Sequence, residues 1–235
     1  MINIMKNYGK KFQKIKSLIN SDSPKIIEVG SHYGEDTLRM LYTFPDAKIY
    51  CFEPDERNID IFKKHVQSEQ VQLNEMALSN INGISRFYRS YTDYDGDSVP
   101  SKYDFISFYD YKNKKLHNSG ASSLKKGYEN CLYGEFFVET IRFDEWYKIN
   151  DIGYIDLAWI DVQGAEYEVI DGIGELIRKF QFIWIEYGEN QYEGSLSRNE
   201  TIKLLYEKNF SIITEISSKE LIGDLMFMNS ENDNC

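Results

Sequence analysis

The chain alternates short aliphatic runs of strand length with longer segments whose apolar residues recur at helical spacing. This alternation is typical of β-α-β units, in which consecutive strands lie parallel in one sheet. The first half predicts a basic amphipathic helix and then alternating strands and helices. The predicted elements are helix 5–19, strand 25–29, helix 35–43, strand 47–53, helix 55–66 and strand 71–74.

The second half continues this alternation after an extended stretch, 83–90, and an irregular region from Tyr91 to Gly134. The predicted elements are strand 135–143, a short helix from Asp144, strand 156–161, helix 165–178, strand 182–187, helix 198–208 and strands 210–216 and 224–229. Only a handful of residues joins the last two predicted strands. These strands must therefore pair antiparallel, because a parallel crossover needs a dozen or more residues. An α/β fold with a doubly wound, mostly parallel sheet that ends in such a hairpin favours the Rossmann-like class I methyltransferase architecture over a dinucleotide-binding sheet.

Length and composition indicate one domain with a single sizeable core. The 235 residues, 42% of them hydrophobic, predict a single domain over 1–235, with an N-terminal helix within 1–22 and an insertion at 91–134. The net charge of −11, from 27 basic and 38 acidic residues, opposes a phosphate backbone, so we expect no nucleic-acid partner.

Cysteine and lysine positions indicate the compartment. Three widely spaced cysteines form neither a disulfide framework nor a metal-binding pair, which fits a reducing environment. Lysines interrupt the first 20 residues where a signal peptide needs an apolar core, and no apolar run approaches membrane-spanning length. We expect a cytoplasmic protein without a membrane span.

The turn after the first strand, EVGSHYG, has the features of a cofactor site. Ligands of doubly wound sheets bind at the carboxyl ends of strands, where glycines allow close approach of the backbone. The spacing from Gly30 to Gly34 is not that of a dinucleotide fingerprint, since His32 occupies the position of the middle glycine. Glu28 would repel a pyrophosphate and suits the ammonium and sulfonium groups of S-adenosylmethionine. We therefore predict that Glu28, Gly30, His32 and Gly34 contact this cofactor.

The ends of the next two strands supply further candidates. Glu53 lies 23 residues after Gly30, where a carboxylate accepts both ribose hydroxyl protons, of NAD and S-adenosylmethionine alike. In residues 71–79, Met76 and Ala77 are suited to flank the base and Glu75 to bind its exocyclic amine. The alternative for Met76 and Ala77 is an ordinary place in the core.

With the segments EVGSHYG, CFEPDERN, NEMALSNING and WIDVQGAEYEVIDG in this order, the sequence resembles the FkbM family of S-adenosylmethionine-dependent methyltransferases over roughly residues 25 to 190. In this family the segment that resembles IDVQGAE, residues 160–166, closes the fourth strand and faces the reacting methyl group. Characterised members act mostly on hydroxyl groups of sugars and polyketide-like molecules. The resemblance implies cofactor contacts at Glu28, Gly30, Gly34 and Glu53 and an active-site turn at Asp161, Gly164 and Glu166. Two positions depart from many members: Trp159 replaces a lysine, and Gln163 replaces an acid.

Methyl transfer to oxygen requires removal of the hydroxyl proton, and the candidate bases lie at strand ends. Asp161 is the first candidate and Glu186, in WIEYG, the second. Asp161 is alternatively a helix N-cap. A third route, in which both carboxylates hold a divalent ion such as Mg²⁺, is open but not favoured, so no metal ligand is assigned.

The acceptor site is predicted from the insertion and from the IDVQGAE turn. Residues 91–134 contain seven tyrosines, which suit a carbohydrate or another polyhydroxylated acceptor, and the polar turn NSGASSLKKG. We predict acceptor contacts at Ser122, Ser123, Gln163 and Glu166. The alternative is a surface insertion without a binding role.

Three functions remain after this reasoning. The first is an S-adenosylmethionine-dependent O-methyltransferase that acts on a sugar, a glycan or another small polyhydroxylated acceptor. The others are an NAD(P)-dependent oxidoreductase and a non-catalytic cofactor-binding module, while the oligomeric state is left open.

Overall fold

The computed structural model describes residues 5–91, 119–127, 132–219 and 221–232. Ten strands are present in these segments: β1 Lys25–Val29, β2 Lys48–Phe52, β3 Val71–Asn74, β4 Ala77–Leu78, β5 Gly83–Tyr91, β6 Leu132–Ile141, β7 Ile155–Ile160, β8 Phe180–Gly188, β9 Phe210–Lys219 and β10 Ile222–Asn229. The helices are α1 Met5–Leu18, α2 Glu35–Thr43, α3 Glu56–His65, α4 Phe143–Asn150, α5 Glu166–Ile173 and α6 Arg198–Tyr206. Short 3₁₀ segments span Ser119–Ala121, Gly174–Lys179 and Ser230–Asn232.

Seven strands form the main sheet, in the order β3-β2-β1-β7-β8-β10-β9. Parallel pairs join β3 through β8, whereas β10 pairs antiparallel with both β8 and β9. The predicted mostly parallel, seven-stranded sheet with a C-terminal hairpin is therefore confirmed. Strand order reverses between β1 and β7, which places the carboxyl ends of β1, β2 and β7 side by side.

Helices cover both faces of the main sheet, and each face has its own apolar cluster. Phe12 of α1, Met40 of α2 and Phe62 of α3 pack on one face. Trp146 of α4, Ile170 of α5 and Leu205 of α6 pack on the other. Burial on both faces explains why β7 and β8 read as nearly continuous apolar runs.

A second sheet of three strands, in the order β4-β6-β5, was not predicted. The sequence indicated strands at 83–90 and 135–143 but not that they pair with each other, and β4 is too short to give a period of two. Residues 92–131 connect β5 and β6, so both ends of the region predicted as irregular, Tyr91 and Gly134, belong to paired strands. Residues 92–118 and 128–131 of the predicted insertion lie outside the described residues, so its role as a lid or acceptor region stays a prediction.

Most predicted boundaries agree with the structure to within a few residues, with one exception. The helix predicted over 165–178 ends at Ile173, because Gly174 adopts φ +57°, and the chain continues as a 3₁₀ segment. Across residues 5–91, 119–127, 132–219 and 221–232, none of the helices has the length and apolar character needed to cross a bilayer.

Candidate active site

A cleft lies at the carboxyl ends of β1, β2 and β7, at the point where strand order reverses. Its far wall is formed by β4, β5 and residues 119–124. The lining residues are Val29, Gly30, His32, Phe52, Glu53, Pro54, Asn58, Ala77, Leu78, Phe87, Ser119, Gly120, Ser122, Ser123, Leu124, Asp161, Val162, Gln163 and Ala165. This position agrees with the general rule for ligand sites in open α/β sheets.

The two glycines of the first turn have different roles. Gly30 lines the cleft at φ +85°, and a Cβ there would overlap the carbonyl oxygen of Asp161, so glycine lets the turn pass close to the end of β7. Gly34, at φ +86°, precedes α2, and a Cβ there would overlap Val66 and crowd Phe62. Gly34 does not line the cleft in this structure, and its predicted cofactor contact stays a prediction.

Glu28 is also absent from the cleft lining. Its carboxylate is buried beneath α2, where it accepts hydrogen bonds from Thr37 Oγ1 at 2.5 Å and from Cys51 Sγ at 3.2 Å. Burial raises the pKa of Glu28 to about 8, although the hydrogen bonds from Thr37 and Cys51 oppose the shift. The side chain of Glu28 thus turns into the protein and away from the cleft, and its predicted contact with the cofactor stays a prediction.

Glu53 lies in the cleft just after β2 and is held by three donors. Its Oε2 accepts from the backbone N–H of His32 at 2.9 Å. Its Oε1 accepts from the N–H of Asp55 at 2.8 Å and from Asn58 Nδ2 at 3.2 Å. Burial raises the pKa of Glu53 to about 7 against the opposing effect of these bonds.

His32 connects the first turn to the opposite wall. Its Nδ1 lies 3.1 Å from Glu35 Oε1 and its Nε2 lies 2.9 Å from Ser119 Oγ. Burial lowers the pKa of His32, but the carboxylates of Glu35, Glu53 and Asp161 raise it by more, so its pKa lies above the ordinary value. The imidazole thus fastens Ser119 beside the turn.

An apolar slot occupies the part of the cleft near β4. Ala77, Leu78, Phe87 and Leu124 line it. Glu75 does not reach this slot, since its exposed side chain pairs with Lys63 at 2.6 Å on the surface. Met76 packs against the core. Of the residues predicted around the base, Ala77 lies in the cleft and Glu75 does not, because it precedes β4 on the solvent side.

The turn after β7 joins two half-buried carboxyl groups through one amide. Gln163 Nε2 donates to Asp161 Oδ1 at 2.7 Å and to Glu186 Oε2 at 2.9 Å, and Gln163 Oε1 accepts from the Tyr192 hydroxyl at 2.7 Å. The carboxyl-terminal ends of β7 and β8 are thus linked. Gln163 lines the cleft and its amide links these three partners, while its predicted acceptor contact stays a prediction.

Burial and nearby like charges raise the pKa values of Asp161 and Glu186. Burial raises the pKa of Asp161, against the hydrogen bond from Gln163. Burial and then the nearby carboxylates of Asp161, Glu166 and Asp224 raise the pKa of Glu186 well above its usual range. Glu186 therefore keeps its proton to higher pH. Asp161 loses its proton first and, once ionised, can accept another.

Glu166 stabilises the same turn from beneath. Its Oε1 accepts from the backbone N–H of Gly164 at 3.0 Å and of Val162 at 3.4 Å. Burial raises its pKa to about 7. Glu166 does not line the cleft in this structure, and its predicted acceptor contact stays a prediction. The N-cap position of α5 is Ala165, so Asp161 does not cap that helix and the N-cap alternative is wrong.

Residues 119–127 form a wall that is fixed by side-chain hydrogen bonds. Ser122 Oγ accepts from the Ser90 N–H at 3.1 Å and from Arg57 Nη2 at 3.2 Å. Ser123 Oγ donates to the Val162 carbonyl at 3.1 Å. Both serines line the cleft as predicted, and both also hold the wall in place.

Among the polar residues at the site, Asn58, Ser119 and Tyr192 were missed from the sequence, as were the apolar residues Leu78, Phe87 and Leu124 of the slot. Asn58 lies in the first turn of α3, Ser119 in the polar turn and Tyr192 in the loop after β8. Of the three polar residues, only Ser119 carried a signal, since it belongs to the NSGASSLKKG turn. In the part of the chain that the structure describes, no three His, Cys, Asp or Glu side chains are grouped so that they could hold a metal ion.

Comparison with known proteins identifies the family. A family model described as "Methyltransferase FkbM domain" matches residues 28–212. The 2-O-methyltransferase NoeI of Sinorhizobium fredii (strain NBRC 101917 / NGR234) is 31% identical over 221 residues, which cover 93% of this chain and 85% of that protein. The crystal structure of magnesium protoporphyrin IX methyltransferase (ChlM) from Synechocystis PCC 6803 with bound S-adenosylmethionine superposes with a TM-score of 0.50 at 10% identity, covering 98% of this chain and 85% of that one. The structural match concerns the fold, which is that of class I methyltransferases, and the family match shows that this chain is a methyltransferase of the FkbM family.

Proposed function

We propose that the protein transfers a methyl group from S-adenosylmethionine to a hydroxyl oxygen of a sugar, a glycan or another small polyhydroxylated acceptor. The observation that carries this proposal is the cleft itself. It is lined by the strand-end acid Glu53, which suits ribose, by an apolar slot that suits a base and by the half-buried carboxyl group of Asp161. The name of the relative NoeI, a 2-O-methyltransferase, supports oxygen as the atom methylated.

The cleft fits a nucleoside cofactor in its charge and shape. Glu53 is the hydrogen-bond acceptor for ribose, and the slot of Ala77, Leu78, Phe87 and Leu124 receives the adenine ring. Gly30 lets the backbone approach, while Asp161 provides negative charge towards the cationic end. S-adenosylmethionine supplies an activated methyl group on a sulfonium when it is bound.

Asp161 is the proposed general base. Its carboxylate lies in the cleft, and burial brings its pKa upward, towards the neutral range in which a general base works best. Gln163 Nε2 donates to Oδ1 of this carboxylate at 2.7 Å, which positions the carboxylate for the acceptor hydroxyl. Glu186 has the higher pKa and stabilises the pair in its protonated form.

Ser122 and Ser123 remain proposed acceptor contacts. Ser122 accepts two hydrogen bonds and keeps its own O–H for a ligand, whereas Ser123 uses its O–H on Val162 and keeps an acceptor site. One donor and one acceptor on adjacent residues suit the hydroxyl groups of a sugar. The tyrosines of 91–134 provide apolar faces for sugar C–H groups in this proposal.

The first test combines labelled S-adenosylmethionine, a panel of mono- and oligosaccharides and the variant Asp161→Asn. We expect methyl transfer to at least one sugar hydroxyl, and a decrease of about 10²–10⁴-fold in the variant, because asparagine cannot accept the proton. Binding of S-adenosylhomocysteine, measured by calorimetry, should persist in the variant. Full turnover by Asp161→Asn would transfer the role of base to Glu186, and absence of S-adenosylhomocysteine binding to the unmutated protein would refute the proposed cofactor.

A further inference from the structure

We propose that Asn58 is a cofactor-binding residue, whose side-chain oxygen accepts one ribose hydroxyl while Glu53 accepts the other. This inference rests on the proposed function, because it assumes that the cleft binds a nucleoside. It changes the expectation that Glu53 alone receives both ribose hydroxyl groups.

The first step is the remaining capacity of Glu53. An ionised carboxylate offers about four acceptor sites, two on each oxygen. Both sites on Oε1 are used by Asp55 N–H and Asn58 Nδ2, and one site on Oε2 is used by His32 N–H. A single site remains, on Oε2, so a ribose with two adjacent hydroxyl groups needs a second acceptor nearby.

The second step is the orientation of Asn58. The bond at 3.2 Å runs from Asn58 Nδ2 to Glu53 Oε1, an oxygen that also accepts from the Asp55 N–H, so the NH₂ group of the amide faces Glu53. The amide oxygen therefore occupies the other side of the same planar group, within a few ångströms of the carboxylate.

The third step is the unpaired state of that oxygen. Asn58 is only 2% exposed and lines the cleft. Among the residues that the structure describes, its Oδ1 has no hydrogen-bond partner. Buried acceptors are nearly always paired, so an orphan at the edge of a ligand cleft indicates a donor that arrives with the ligand.

The surroundings of Asn58 hold this acceptor in place before the ligand binds. Its backbone N–H donates to the Asp55 carbonyl at 2.9 Å in the first turn of α3. The Asp55 carboxylate is in turn paired with Arg57. An acceptor fixed in this way loses little freedom on binding, which favours affinity.

Calorimetric titration with S-adenosylhomocysteine and its 2′-deoxy and 3′-deoxy analogues tests the assignment. We expect Asn58→Ala to weaken S-adenosylhomocysteine binding about fivefold to tenfold, as for one hydrogen bond. One deoxy analogue should bind the unmutated protein more weakly than the parent compound and yet show little further loss with Asn58→Ala. Asn58→Leu, which fills the space of the amide, should repeat the result and excludes a water molecule that replaces the lost oxygen.

Asn229→Ala is the matched control. Asn229 is also 2% exposed, but its amide bonds to Arg178 and Phe180 carbonyls away from the cleft. We expect this variant to lower the unfolding temperature without any change in affinity.

The outcomes separate this inference from the proposed function. Equal affinity of Asn58→Ala and the unmutated protein for S-adenosylhomocysteine would overturn the role of Asn58 alone. If Asn58→Ala weakened the binding of the parent compound and of both deoxy analogues by the same factor, the ribose assignment would be overturned. The adenine amine would then be the group that Asn58 binds. Failure of the unmutated protein to bind S-adenosylhomocysteine would overturn both proposals.

Discussion

Gln163 occupies the position where many FkbM members have an acid, and the structure gives a physical reason why an amide suits this chain. Its backbone adopts φ +55°, a conformation that only a few non-glycine residues take. From there the amide NH₂ group lies between the carboxyl groups of Asp161 and Glu186. A third acid at this point would add like charge to a pair that burial already disfavours.

Tyr192 decides which way this amide faces, and its removal is a residue-scale prediction. The Tyr192 hydroxyl donates to Gln163 Oε1, so Tyr192→Phe leaves the amide free to turn away from the acids. We expect the rate of methyl transfer to fall about tenfold, equivalent to about 1.4 kcal/mol, while S-adenosylhomocysteine affinity is unchanged. The acidic limb of the pH–rate profile should move to higher pH, because the bond from Gln163 holds the pKa of Asp161 down.

Tyr147→Phe serves as the control for this variant. The Tyr147 hydroxyl is also bonded, to the Gly153 carbonyl at 3.0 Å, but it lies outside the cleft. It should change stability without moving the pH–rate profile. An unaltered profile in Tyr192→Phe would show that Tyr192 packs against Gly164 and does no more.

Three of the predicted site residues line the cleft because of one rule, that the carboxyl ends of neighbouring parallel strands meet at one edge of the sheet. Gly30, Glu53 and Asp161 come directly after strands and line the cleft. Glu28 lies one residue before the end of β1, where the side chain faces helix α2 instead of the edge of the sheet. The rule about strand ends therefore does not apply to it. Asn58 and Tyr192 reach the site through a helix turn and a loop, and neither position carries a local pattern.

At the scale of elements, hydrophobic periodicity located the strands and helices but not every pairing. The strands β5 and β6 were expected from their composition, whereas their separation into a second sheet depends on long-range contacts. The end of α5 at Ile173 shows the same limit, since Gly174 interrupts an apolar pattern that otherwise continues to residue 178. Period and turn residues are local properties, and sheet membership is not.

Helix α1 makes a contact with the sheet that compensates for an unusual residue. At Trp159, where many family members have a lysine, the ring lies 4.1 Å from Lys11 Nζ of α1. The same ammonium lies 4.4 Å from the ring of Trp184 and 3.4 Å from Asp224 Oδ2. Lys11 of α1 thus places a positive charge above the indole ring of Trp159.

Lys11→Met tests this contact at the element scale. It removes the ammonium but keeps an apolar side chain over the two rings. The loss of stability therefore measures the contribution of the positive charge. We expect the free energy of unfolding to fall by about 1–2 kcal/mol, the range for a partly desolvated cation–π contact, in urea titrations. Lys14→Met is the control, since Lys14 is exposed on the same helix and its replacement should change stability by less than about 0.5 kcal/mol. Equal effects of the two variants would contradict a specific role for Lys11.

At the scale of the whole molecule, the protein buries several acids whose pKa values are raised. The pKa of Glu28 is raised to about 8, and those of Glu53 and Glu166 to about 7, in each case chiefly by burial. Their ordinary pKa is 4.5. As pH rises above 4.5, the unfolded chain therefore releases these protons before the folded protein does, and ionisation favours unfolding.

His32 acts in the same direction. Its pKa is raised above 6.5, so the stability that it contributes is present below that value and is lost as pH rises through its higher folded pKa. By contrast, the pKa of Asp144 is lowered by Arg142, and its contribution is lost only at pH values below the ordinary range of an aspartate. Between pH 5 and pH 8, the acids with raised pKa values and His32 should therefore determine how stability changes with pH.

We accordingly predict that the ligand-free protein unfolds at a lower temperature at pH 8 than at pH 5.5. A pKa shift of one unit corresponds to about 1.36 kcal/mol, and each kcal/mol lowers the unfolding temperature of a domain of this size by about 2–4 °C. Glu28→Gln should flatten this dependence, because glutamine retains an oxygen for Thr37 and Cys51 but has no proton to lose. Scanning calorimetry of both proteins at several pH values measures the effect. A constant or rising unfolding temperature, or an equal slope in Glu28→Gln, would show that these buried acids are not the groups that set the pH dependence of stability.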